Sequence, residues 1–358
     1  MSTFPLRDFL TENREVRYDL ASSSVREISH PELLGLKKQP GFDYTDELDT
    51  ELRTKISAIY RISTDRVIPL SGAQVSNSLV LLTLFKPGDE IIVESPNYRP
   101  LVNLPRRLSL HVKTMKRSFE DDFRIKLDDL KGTVSEDTKA VILTNPHNPS
   151  GKYLNEDDLT DIQRYLQDRD ILLIVDEIFK DFIEDDFSAI DLGDNVIITS
   201  SLSKVFGMGG VRIGWTASRN KSIMKKINSM KYDLNLLNST YSERLAINVI
   251  EKREVLLKEV RGLAKRNLSM VTGWVEGNDF VEWVPPTGGI ISFPKLSIST
   301  DSLNFSKKAI EEGVLVAPGN FFSEDETWDD HIRLCFGLKT EDLALGLQRL
   351  SRVINRWV

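Results

Sequence analysis

The chain has 358 residues, 40% of them hydrophobic and 28% charged, with a net charge of −7: a globular composition, long enough for one large domain and a smaller one, whose acidic balance argues against a nucleic-acid surface. Its single cysteine, Cys335, excludes an intramolecular disulfide and points to a reducing compartment, and its four histidines are too scattered to make a metal-ligand pattern. No run approaches about 18 apolar residues and the start lacks a signal-peptide core, so a cytoplasmic protein with no membrane span is expected.

In chain order, the first buried strand is expected at "DRVIPL" (65–70), followed by "SGAQ", a small turn opening a helix. The first N–H groups of a helix have no internal partner, so Gly72, Ala73 and Gln74 are candidates to cradle a phosphate; a cap by Ser71 would explain the same turn. A second run, "DEIIVES" (89–95), leads into "PNYRP", where Tyr98 is held between two prolines. That aromatic can stack on a planar ligand or simply pack. The third run, "KAVILTN" (139–145), leads into "NPHNPSG", a rigid loop that would fix Asn148 for hydrogen bonding.

A helix with an acidic first turn is expected over 155–170. The fourth run, "ILLIVDE" (171–177), ends at Asp176, a carboxylate that needs donors or a cation there unless it caps a helix. The fifth, "NVIITSS" (195–201), leads into "SLSKVFGMGGVRIG", where Lys204 lies among Ser201, Ser203, glycines and Arg212. A dinucleotide loop fits poorly, because the glycines neither follow a strand directly nor repeat as G-x-G-x-x-G. A lysine of lowered pKa is a nucleophile, and hydroxyls with an arginine beside it would hold a phosphate.

Continuous apolar runs suit strands buried on both faces, so the class is α/β with a mainly parallel sheet covered by helices. Beyond residue 217 the texture changes to Lys- and Glu-rich helical stretches, whose 243–271 part reads as a solvated helix face. "FVEWVPPTGGIISFP" (280–294), a helix over 301–313 and a strand at "HIRLCFG" (331–337) follow. A large domain over 40–245 and a smaller α+β domain from 1–39 and 246–358 are expected.

Ligands in open α/β sheets gather at the carboxyl ends of the strands, and these tails would meet there. Together they offer phosphate donors, a stacking aromatic, an amide, a carboxylate and an amine, which is what pyridoxal 5'-phosphate needs.

On "NPHNPSG", "DEIF" and "SLSK" followed eight positions later by Arg212, the chain resembles the class I/II aminotransferases, the fold type I pyridoxal-phosphate enzymes. The resemblance implies a large domain built as a three-layer sandwich and a Schiff base on Lys204. It also implies a pyridinium carboxylate from Asp176 and a bond from Asn148 to the cofactor's phenolic oxygen. Ser201, Ser203, Arg212 and the Gly72–Gln74 turn would hold the phosphate, and Tyr98 would stack on the ring. Arg333, in "HIRLCFG", would grip the substrate α-carboxylate with a bidentate fork. Tyr44, in "YTDELDTELR", would reach the phosphate of a neighbouring subunit, implying a homodimer with shared sites.

The implied reaction moves an amino group between an L-amino acid and a 2-keto acid. Decarboxylation, elimination, cyclisation or oxidation would use the same residues, although Arg333 favours chemistry that keeps the carboxylate. A non-catalytic regulator of this family would carry an N-terminal DNA-binding module, for which "MSTFPLRDFLTENREV" is too short. One position departs from the pattern: Phe179 stands where most of the family has a tyrosine whose hydroxyl donates to the phenolic oxygen. The pocket wall is expected at 20–27 and 233–240, with Arg26 as the candidate second cationic grip.

Overall fold

The five apolar runs become five strands of one seven-stranded sheet. A computed structural model describes residues 4–26, 33, 46–235 and 237–357. After a short β1 (Tyr18–Asp19), the sheet strands in chain order are β2 (Val67–Leu70), β3 (Glu90–Ser95), β4 (His111–Lys116), β5 (Thr138–Thr144), β6 (Leu172–Asp176), β7 (Val196–Ser201) and β8 (Gly214–Ala217). They lie side by side as β2-β8-β7-β6-β5-β3-β4. Only β8 runs against its neighbours, so the other six point one way.

Alternate residues of the strands feed two cores, which is why the strand centres are continuously apolar. Ile91, Val93, Ile142, Ile174 and Ile197 face one side with Leu79 and Val80 of the helix Ala73–Leu84, and with Met224 and Ile227 of the helix Lys221–Asn235. Ile92, Val141, Leu173, Val175 and Ile198 face the other with Leu52 and Ile56 of the helix Asp46–Tyr60, and with Leu159 and Ile162 of the helix Glu156–Gln167. Each fully buried side chain of this size contributes about 1.5–3 kcal/mol relative to exposure. The result is a three-layer α/β sandwich. The acidic start of the helix Glu156–Gln167 closes as a capping box, Asn155 accepting from the Asp158 N–H at 2.9 Å and Asp158 accepting from the Asn155 N–H at 3.1 Å.

Two sheet strands were not expected from sequence. β4, "HVKTMK", is an edge strand in which Met115 alone is buried. β8 is four residues long and follows directly on the glycine run. The 243–271 stretch is two helices, Thr240–Glu251 and Arg253–Glu276, with Lys252 between them.

Beyond them come β9 (Val281–Glu282), β10 (Ile291–Ser292), β11 (Lys295–Leu296), the helix Ser302–Glu311, β12 (Val314–Leu315), β13 (Ala317–Pro318) and β14 (Ile332–Cys335). β14 pairs antiparallel with β10 and β13, and β1 pairs in parallel with β12, which ties the N-terminal segment to the C-terminal part. Among the described residues, no helix is long and apolar enough to cross a membrane.

Candidate active site

β5 and β6 end level with each other, Thr144 beside Asp176, and Asp176 lies beside Thr199 of β7. Their carboxyl ends open into a cavity of about 780 Å³, within the usual range for a small-molecule site. β8 starts at the same edge, where it must pass very close to the first turn of the neighbouring helix. A Cβ on Gly214 would sit 2.6 Å from the Ala73 nitrogen and from the Ser200 oxygen, so only glycine fits.

The helix Ala73–Leu84 begins without a side-chain cap. Ser71 turns its hydroxyl to Asn238 Oδ1 at 3.3 Å, so the capping alternative does not hold. Gly72 has φ +97°, a conformation that glycine adopts without penalty. A Cβ there would lie 2.6 Å from Arg212 Nη2, so this glycine also lets the guanidinium settle against the turn. Arg212 donates to the Ser71 carbonyl at 2.9 Å and to the Gly209 carbonyl at 3.2 Å. Ala73, Gln74, Ser201 and Ser203 line the cavity with Arg212, and the Ser203 N–H donates to Ser201 Oγ at 3.1 Å.

Lys204 is half-buried in the cavity wall, and its Nζ donates to Ser23 Oγ at 3.2 Å. Burial, then the nearby Arg333 charge, brings its pKa down to about 8, against smaller opposing effects of Cys335 and Asp176. The N-terminal segment clamps this loop: Ser24 Oγ donates to the Ser203 carbonyl at 2.9 Å, and the Val25 N–H to the Lys204 carbonyl at 3.0 Å.

Asp176 accepts from Asn77 Nδ2 at 2.9 Å and from the Ile178 N–H at 3.1 Å. It caps no helix, and no cation bonds to it among the described residues. Burial therefore pushes its carboxyl up to about 6, against the pull of those two bonds and of Lys204. Thr199 holds Asn77 in turn, donating to its Oδ1 at 2.8 Å.

Arg333 is fully buried just behind Asn148, and its Nη1 donates to Asn148 Oδ1 at 3.1 Å. Its Nη2 bonds the Ala21 carbonyl, and burial lowers its pKa to about 10. Tyr98 lines the cavity, with the Phe4 ring edge-on at 5.2 Å. The Phe179 ring is buried in the wall and packs on Phe182 at 6.4 Å.

The tails named from sequence thus converge, with three exceptions. Of the expected wall segment 233–240, no described residue lines the cavity; Asn238 instead takes the Ser71 hydroxyl. Tyr44 lies outside the described residues. Arg26 is not on the cavity wall: it pairs with Asp19 and donates to Ser22 Oγ at 2.9 Å, so it is not a second grip. Ser23 and Ser24 line the cavity, as expected of the 20–27 stretch, whereas sequence reasoning missed Asn77, Thr199, Phe4 and Arg7. For Asn77 a signal existed: it stands four positions after Ala73, one helical turn on from the candidate phosphate turn.

The model for aminotransferase classes I and II matches residues 21–350. The chain belongs to this family. Capreomycidine synthase of Streptomyces vinaceus is 27% identical over 370 residues, covering 98% of this chain and 93% of its own. Aspartate aminotransferase of Sulfurisphaera tokodaii is 27% identical over 325 residues, covering 87% and 80%. A PLP-dependent aminotransferase from Streptococcus suis has the same fold, with a TM-score of 0.91 at 24% identity over 99% of this chain and 98% of that one. The protein is a pyridoxal-phosphate-dependent aminotransferase of fold type I.

The cavity chemistry of this aminotransferase fits the cofactor. Gln74 Oε1 and Arg333 Nε are buried with no hydrogen-bond partner among the described residues. Such groups call for a polar ligand. The turn at Ala73 and Gln74 with Arg212 offers donors to an anion, Asp176 offers a buried carboxylate to a cation, and Lys204 offers an amine of lowered pKa.

Proposed function

We propose that Lys204 holds the cofactor and that the enzyme moves an amino group between an L-amino acid and a 2-keto acid. One observation carries the assignment: a single cavity holds a half-buried amine, a buried carboxylate with no cation bonded to it among the described residues, and an arginine set against an uncapped helix start.

Arg212, Ser201, Ser203 and the Gly72–Gln74 turn would hold the phosphate, Tyr98 would pack against the ring, and Asn148 would bond the phenolic oxygen without help from Phe179. Bound pyridoxal phosphate supplies an aldehyde that condenses with amines and a protonated ring that draws off charge developing at the substrate Cα. The chain's residues position and move protons around it. Arg333 takes the α-carboxylate, with Asn148 beside it fixing its plane. The Lys204 amine, with a pKa lowered to about 8, is partly in its free-base form near neutral pH and so can accept the α-proton. Asp176, held by Asn77 and the Ile178 N–H, keeps a proton on the ring nitrogen.

The test is the product balance. Incubated with an L-amino acid and a 2-keto acid, the holoenzyme is expected to form one new keto acid for each new amino acid, read by mass spectrometry. Carbon dioxide, ammonia or a cyclised product in place of that balance would defeat the reading. Because Capreomycidine synthase is named for synthesis rather than transfer, this is the decisive comparison.

We also infer a cytoplasmic homodimer whose Tyr44 completes the neighbour's phosphate site, and a chain divided into a large domain over 40–245 and a small one from 1–39 and 246–358. Tyr232 and Leu234 support the dimer, standing 47% and 59% exposed on the surface as large apolar side chains. Light scattering is expected to give twice the 40.7 kDa chain mass. A monomer that retains full activity would overturn shared sites.

A further inference from the structure

The helix Pro5–Glu12 lies outside the sheet, yet it contributes to the cavity. Leu6 and Phe9 anchor it: both are buried, in one apolar cluster with Phe322 and Trp328, and Phe9 meets Phe321 edge-on at 5.7 Å. With that face fixed, Phe4 and Arg7, three residues apart, are both presented to the cavity wall. Phe4 contacts Tyr98, and Arg7 is near enough for its charge to favour the ionised form of that phenol. Arg7 therefore stands on the Tyr98 side of the cavity.

Its charge is unmatched. Arg7 is exposed, its Nε donates at 3.4 Å to Thr11 of its own helix, and no carboxylate pairs with it among the described residues. Of the charged groups lining the cavity, Lys204, Arg212 and Asp176 have roles in the reading above, and Arg333 behind Asn148 takes the α-carboxylate. The cation left over among the described residues is Arg7.

We propose that Arg7 is a specificity-determining residue that binds a second anionic group, on the side chain of the substrate, so that the enzyme favours dicarboxylic over neutral amino acids. The proposal rests on the assignment of Arg333 to the α-carboxylate. A guanidinium presents paired donors to a carboxylate, and a helix fixed by Leu6 and Phe9 keeps it at the cavity. Its exposure limits the gain, because solvent and salt screen the pair.

The test uses the holoenzyme and two unreactive four-carbon acids, succinate and butyrate, titrated by calorimetry at low salt. Succinate is expected to bind the wild-type protein about tenfold more tightly than butyrate, as a partly screened charged hydrogen bond would give. Arg7→Gln is expected to bring the two acids within about twofold while leaving butyrate unchanged, and Arg7→Lys to keep only part of the preference, since it retains the charge but not the paired donors. Equal binding of the two acids by the wild type, or an Arg7→Gln effect on both alike, would overturn the proposal alone. Failure of both acids to bind a cofactor-loaded protein would overturn the Arg333 grip together with it.

Discussion

Replacement of Lys204 by alanine is expected to lower turnover by roughly four orders of magnitude, the upper range for loss of a positioned acid–base group. The variant should still take up the cofactor, because the phosphate donors at Arg212 and the Ala73–Gln74 turn do not depend on the amine. It should not become covalently labelled. Borohydride reduction of wild-type holoenzyme followed by peptide mapping should place the pyridoxyl group on Lys204. Small primary amines added to Lys204→Ala should restore part of the activity, since they supply the missing base in solution. Lys204→Arg should not be rescued by its own side chain, because a guanidinium does not give up its proton near neutral pH. The fold should survive the alanine change: the half-buried amine is held by one bond to Ser23, and desolvation already disfavours its charge. Activity within tenfold of wild type, or an adduct on another lysine, would sink the assignment of this residue.

What the sequence disclosed and what it hid divide along physical lines. The runs that became β3, β5, β6 and β7 were legible because both faces of their middles are buried, which makes each centre a run of aliphatic side chains. β4 was not, since an edge strand can carry polar residues, and "HVKTMK" shows no hydrophobic pattern. β8 was hidden by Gly214, which reads as part of a loop until the approach of the Ala73 nitrogen shows why a glycine must open that strand. At the site, Asp176 and Lys204 stood out because each follows an apolar run where a charge is costly. Phe4 and Arg7 did not, because their place depends on the docking of an N-terminal segment far from Lys204 in sequence. Arg26 misled for a local reason: Asp19, seven residues earlier, neutralises it outside the cavity.

Asp176→Asn is expected to act in opposite directions on catalysis and on stability. With the cofactor bound, the variant loses the charge that keeps the ring nitrogen protonated. Breaking a buried ion pair by removing one partner costs about 3–5 kcal/mol. If expressed in the transition state, that is roughly two to four orders of magnitude in turnover. Without the cofactor the carboxylate is a liability. Burial holds its pKa at about 6, above the ordinary 3.8, so the folded state binds this proton more tightly than the unfolded chain does. Stability from this group therefore falls as pH rises from about 4 to about 6, and the loss is complete above that. The difference corresponds to about 2–3 kcal/mol. Asparagine carries no charge and can be accommodated: Asn77 can turn its amide over, accepting from the new side chain and donating to Thr199 Oγ1. Cofactor-free Asp176→Asn is thus expected to melt about 3 °C above cofactor-free wild type at pH 8. The gain should be about half as large at pH 5. Adding pyridoxal phosphate should reverse the order, because the wild type then gains a cation for its carboxylate and the variant does not. Calorimetric melts at the two pH values, with and without cofactor, read all four states. Equal melting of the two cofactor-free proteins at pH 8 would show that Asp176 is not a buried charge waiting for a partner.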